Sequence, residues 1–172
     1  MATQFLFCVE TNNGAGTDWV YIKDTIDEFY IFDNKYSFKP IKMGGKAKYK
    51  SNSTKKEINN RIGGFCGKTI VIYCIDTDNF EKDIQQKKEF EDIKAYCNEF
   101  EFDFVWFCRD IEDVYLGESL SNNKKVDKAR EFRRKKSITK IDEDKLNADI
   151  IGRHKSNIMN VLDKYLKRKS VL

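Results

Sequence analysis

A chain of 172 residues with 40% hydrophobic and 13% aromatic residues and a single proline can bury one ordinary core; this excludes a disordered chain and removes the need for disulfide staples. The net charge of +4 is unevenly spread: residues 121–172 carry 16 Lys/Arg against 7 Asp/Glu, whereas residues 1–120 carry 16 against 21. An acidic body with a basic tail suits a site that holds cations beside a surface that meets polyanions, and equally suits a plain solvated helical face.

Five cysteines, an odd number, include no CxxC pair and sit beside no histidine cluster, so they read as small core hydrophobes in a reducing cytoplasm. The run Phe5 to Val9 stops at Glu10, too short for a signal peptide or a membrane helix, so neither export nor a membrane is expected.

Phe5 to Val9 reads as a strand buried on both faces, with Glu10 at its carboxyl end. Asn12 to Gly16 then forms a loop, and Thr17 or Asp18 can cap a helix reaching about Phe32, because Val20, Ile22, Ile26, Phe29 and Tyr30 recur on one side. Ser37 to Met43 alternates like a more exposed strand, closed by Gly44-Gly45, and Lys46 to Ser53 is a polar, basic loop. A short helix capped by Thr54 runs to Ile62.

Thr69 to Ile75 is the strongest strand signal, apolar on both faces and β-branched, and it delivers Asp76-Thr77-Asp78 at its end. A helix over Lys82–Phe100 presents Ile84, Phe90, Ile93, Tyr96 and Cys97 on its apolar side. Phe102 to Cys108 is a further strand, a basic helix covers Asn123–Lys136, and an amphipathic helix covers Asp142 to about Lys169 with His154 on it in a solvent or packing role. Trp19 and Trp106 are expected in the core.

Alternating strands and helices predict an α/β fold: a mostly parallel four-stranded sheet flanked by helices, Rossmann-like in outline, with a C-terminal helical extension. Residues 1–120 are expected to form the α/β domain and residues 121–172 a basic helical extension packed on it. Ligands of such sheets bind beyond the carboxyl ends of the strands, where Glu10, Asp76, Asp78 and the acidic group after Cys108 all fall. Two aspartates at the mouth of a buried strand repel unless a cation or donors offset them, and Mg²⁺ (or Mn²⁺) suits one or two carboxylates while keeping waters for substrate phosphates. Glu10 can complete that shell or serve as acid/base on an attacking water. Asp-x-Asp at a strand end is also a common turn or loop cap.

The order of hydrophobic strand, Glu10, helix, and strand with Asp76-Thr77-Asp78 resembles the TOPRIM domain of topoisomerases, primases and OLD-type nucleases over about residues 4–120. Within that superfamily Cys8-Val9-Glu10, Thr17-Asp18-Trp19-Val20-Tyr21 and Ile75-Asp76-Thr77-Asp78 are similar to RloB-like proteins, small proteins of bacterial restriction and abortive-infection loci. Thr11 stands where that pattern has glycine, and Arg109-Asp110 where it has Asn-Pro. The resemblance implies Glu10 as the catalytic acid/base, Asp76 and Asp78 as metal ligands, and Glu112, within Arg109 to Leu116, as the third acidic ligand. It further implies an Mg²⁺-dependent nuclease of anti-phage defence, with an ATPase or other defence-system subunit as a partner.

Lys124, Lys125, Lys128, Arg130, Arg133, Arg134, Lys135 and Lys136 form a cationic stretch that can track phosphates, and Lys46, Lys48 and Lys50 around Tyr49 can add contacts and one stacking ring. Two other readings stay open: a catalytically silent binding or regulatory subunit, and a phosphatase with Asp76 as nucleophile, against which stands the earlier strand ending at Glu10.

Overall fold

The computed structural model describes residues 1–11 and 16–170; Asn12 to Ala15 of the expected loop lie outside the described residues. The elements in chain order are β1 (Thr3–Val9), α1 (Thr17–Phe29), β2 (Tyr30–Ile31), β3 (Tyr36–Lys42), a 3-10 turn over Lys46–Lys48, α2 (Asn52–Gly63), β4 (Lys68–Asp76), α3 (Ile84–Glu99) and β5 (Asp103–Cys108). There follow α4 (Ile111–Leu116), α5 (Asn122–Arg134), a 3-10 turn over Ser137–Lys140, α6 (Glu143–Leu146), β6 (Lys155–Ser156), α7 (Ile158–Leu162) and β7 (Lys167–Arg168).

The fold is α/β. The main sheet has five strands in the order β3-β1-β4-β5-β6, all parallel except β6, and β2 pairs with β7 in a separate antiparallel ribbon. The expected fourth strand was therefore not the last: the C-terminal segment supplies one more. Side chains alternate across the sheet as strand geometry requires. Phe5, Phe7, Val9, Ile72, Cys74 and Phe107 pack on one face against α1, α4 and α5, while Leu6, Cys8, Tyr73, Ile75 and Trp106 pack on the other against α2 and α3.

At the open edge, Met43 N–H donates to Val9 O, so the alternation turns Pro40 outward, where it has no N–H to offer another strand. Ser51, not Thr54, caps α2 by accepting from Thr54 N; the Thr54 hydroxyl donates to Lys48 O at 2.9 Å. Asp83 caps α3, and Ile84, expected on its apolar side, is 88% exposed because it precedes the turn that meets the sheet.

The continuous helix expected over Asp142–Lys169 is not formed. Residues 142–168 break into α6, β6, α7 and β7 because polar side chains there satisfy backbone groups better than a helix would. Asn157 accepts from Trp106 N at 2.9 Å and donates to Phe104 O at 3.0 Å, acting as one residue of a strand along β5, and Asn160 donates to Ala148 O at 3.1 Å. His154 thus lies in a turn with φ 58°, its Nδ1 3.0 Å from Asp113 Oδ2. Within residues 121–170, Ala129, Phe132, Ile158, Met159 and Leu162 belong to the same core as β1 and β4. Trp106 is buried and Trp19 is half-buried against Phe7. Among the described residues, no helix is long and apolar enough to cross a membrane.

Candidate active site at the mouth of β1 and β4

From β1 the chain moves to β3 on one side of it and then to β4 on the other, so the connections leave in opposite directions and a crevice opens between the ends of β1 and β4. Glu10 and Asp76 are the residues at those two ends. Glu10 Oε1 accepts from Asp76 N at 2.8 Å, and Asp76 Oδ1 accepts from Ile111 N at 3.1 Å, at the first turn of α4. Gly45 donates to Glu10 O at 2.8 Å, and both Gly44 and Gly45 have positive φ (77° and 119°), so the approach of that loop depends on glycine.

A cleft of about 360 Å³ is lined by Glu10, Thr11, Thr17, Asp18, Gly45, Asp76, Asn122, Lys125 and Val126. Asp18 joins Glu10 and Asp76 there, from the first turn of α1, with its Oδ2 accepting from Thr11 N at 3.1 Å. From the sequence Asp18 was expected as a helix cap and as part of the Thr17–Tyr21 segment of the resemblance, not as a site residue. Glu112 lies just behind, fully buried, with Oε2 on Lys125 Nζ at 3.1 Å; Oε1 has no hydrogen-bond partner among the described residues.

Asp78 stands apart. Two residues along a strand Asp76 and Asp78 would share a face, but the strand ends at Asp76 and Asp78 adopts φ 49°, a left-handed conformation that aspartate tolerates. Its carboxylate is held by Lys46 Nζ, which also donates to Asp76 O at 3.3 Å, and it borders a separate small pocket with Asn79 and Arg109. Asp76 and Asp78 are joined through Lys46 and do not open into the same cleft.

Burial pushes the Glu10 carboxyl up to about 8 against the pull of Lys46 and the Asp76 amide, and Asp78 and Asp18 add to the rise. Burial, then the charges of Glu10, Asp18 and Glu112, hold Asp76 well above the usual carboxylate range, and burial raises Asp18 and Glu112 despite Lys125. A carboxyl whose folded pKa is raised contributes stability below its unfolded pKa and loses it as pH rises through the folded value. In EDTA, stability and Tm should therefore fall between about pH 5 and pH 8, each carboxyl that is protonated in the folded chain but ionised in the unfolded one contributing a slope of up to about 1.4 kcal/mol per pH unit. Saturating Mg²⁺ should flatten that fall. A metal-free Tm that holds level over this range would show that these groups do not titrate as buried acids.

The expected cations divide. Lys46 and Lys125 are internal counter-ions, Lys128 pairs with Glu131, and Arg133 pairs with Asp24. Lys48, Lys50, Lys124 and Arg134 are exposed and make no ion pair among the described residues. Tyr49 is no stacking platform: it is 8% exposed and packs edge-on to Tyr96, with Lys50 over its ring.

Among the described residues no three His, Cys, Asp or Glu side chains converge into a ready-made metal shell. The donors fit an ion that needs fewer. Glu10, Asp18 and Asp76 each spend one oxygen on a backbone amide, and the second oxygens of Glu10 and Asp76 make no hydrogen bond among the described residues. Hard oxygen donors of that number suit Mg²⁺ or Mn²⁺, which keep several waters. No family model, no curated protein and no solved structure matches the chain.

Proposed function

We propose that the chain is an Mg²⁺- or Mn²⁺-dependent phosphodiesterase acting on nucleic acid, a TOPRIM-like nuclease working in the cytoplasm, with anti-phage defence as the setting the sequence resemblance suggests. The observation that carries this reading is the acidic cleft at the reversal of strand order, which Glu10, Asp18 and Asp76 line. Glu10 and Asp76 would hold the ion with Glu112 in reserve behind them; bound there, it would polarise a phosphoryl oxygen and acidify a water. Glu10, at the end of β1 beside Asp76, would accept a proton from the attacking water or return one to the leaving oxygen. Lys48, Lys50, Lys124 and Arg134, all exposed, would meet phosphates, and binding through them should weaken with salt. Four of the five thiols are buried and all are free, which agrees with a reducing compartment.

The test is labelled single-stranded and duplex DNA and RNA incubated with Mg²⁺ or Mn²⁺, beside the Asp76→Asn/Asp78→Asn double variant. Cleavage by the wild type alone is the expected result; equal cleavage by the variant would overturn the assignment. A second reading, a silent regulatory subunit that recruits a defence-system partner such as an ATPase, draws on Lys46 and Lys125 already neutralising part of the acidic cluster. It would gain if a Glu10, Asp76 and Asp78 triple-alanine variant still protected cells.

A further inference from the structure

Five carboxylates gather at or behind this strand edge, Glu10, Asp18, Asp76, Asp78 and Glu112, and two of them are answered by lysines of the chain itself. The two lysines differ in kind. Lys46 is gripped on both sides, by the Asp78 carboxylate and by Asp76 O, and its side chain is 11% exposed. Lys125 has one partner, Glu112 Oε2, and its side chain is 27% exposed on the wall of the cleft. Glu112 is wholly buried and its Oε1 is unpartnered among the described residues, as is the hydroxyl of Tyr21, whose titration the charge of Glu112 opposes. A buried carboxylate with half its acceptors unused is costly, so a second positive or donating group belongs beside it.

We propose that Lys125 stands in for a divalent cation: it neutralises Glu112 while the cleft is metal-free, and an ion entering beside Asp76 takes over Glu112 and releases the Lys125 ammonium to the mouth of the cleft. This rests on the reading of the cleft as a divalent-cation site. Lys125 lines the cleft together with Glu10, Asp18 and Asp76, so its ammonium faces the carboxylates the ion would meet. A lysine suits such an exchange because a compact charge on a flexible four-carbon stem can turn from one oxygen partner to another without the paired geometry an arginine demands. Once released, it lies on the helix that brings Asn122 to the cleft, and the Ser121 cap of that helix makes no side-chain hydrogen bond to the first-turn amides. Those amides and Lys125 together offer a phosphate oxygen both donors and charge. Metal and phosphate would then strengthen each other's binding, since each is bound best in the state the other favours.

Two measurements test the exchange without relying on cleavage. Mn²⁺ binding to the metal-free chain, read by electron paramagnetic resonance, should be about tenfold tighter in Lys125→Met than in the wild type, a coupling of ordinary size between two ligands. In the wild-type chain, acetic anhydride labelling of Lys125, followed by mass spectrometry, should rise about tenfold when Mg²⁺ is added, while Lys46 stays protected; this needs no variant to fold. Equal or weaker Mn²⁺ binding by the variant, or Lys125 labelling unchanged by Mg²⁺ in a chain that binds Mn²⁺, would overturn the exchange and leave the metal site standing. Failure of the wild type to bind Mn²⁺ at all would remove the cation site, and the exchange with it.

Discussion

Asp76→Asn is expected to lower Mg²⁺-dependent cleavage by about 10³-fold, whereas Asp78→Asn lowers it by about tenfold. The first figure corresponds to the several kcal/mol of charge stabilisation a bound divalent ion contributes, and the second to the loss of an outer partner. The asymmetry follows from geometry, because Asp76 opens into the cleft and Asp78 is turned away on Lys46. Asparagine keeps an oxygen for Ile111 N, so the first turn of α4 stays anchored. Removing a carboxyl whose charged form burial and its neighbours disfavour should also raise Tm in EDTA. Loss of cleavage with raised Tm separates a lost ligand from a lost fold. Equal losses for Asp76→Asn and Asp78→Asn would mean that the two aspartates act as one pair, against the geometry.

Phe132→Ala should cost about 3–5 kcal/mol of stability, read as the shift in urea midpoint at constant slope. Phe132 is 2% exposed and meets Tyr21 edge-on at 5.0 Å and Tyr115 at 5.9 Å, while those two rings stack at 5.2 Å. The three aromatics tie α1, α4 and α5 together, the helices that carry Asp18, hold Asp76 and present Lys125. Truncation therefore opens a cavity between these three helices and should weaken Mn²⁺ binding too. A cost below about 1 kcal/mol would mean that residues 121–170 lie on the domain without sharing its core.

The central strands were legible because a run such as Ile70 to Ile75, apolar on both faces, has few other ways to be buried. Their carboxyl ends followed directly, and with them Glu10 and Asp76. Asp18 was harder to read: a helix-capping residue and a cleft residue look alike until the helix is placed against a particular strand end. Lys46 and Lys125 read as surface cations because charge along a sequence carries no record of which ammonium folds back onto a carboxylate. The stretch 142–168 misled for another reason. Ile150, Ile151, Ile158, Val161 and Leu162 keep near-helical spacing, yet Asn157 and Asn160 decide the backbone through hydrogen bonds to Trp106, Phe104 and Ala148. Ile150, the first of that apolar series, is left 81% exposed.

The way Asn157 and β6 border β5 bears on synthesis. A chain leaving the ribosome presents β1, β4 and β5 before residues 155–157 have cleared the exit tunnel, so Trp106 N–H and Phe104 O stay bare for as long as translation of the intervening residues takes. During those seconds the nascent sheet has one rim blunted by Pro40 and one unguarded, and the unguarded rim is where a chaperone, or a neighbouring nascent chain, would find it.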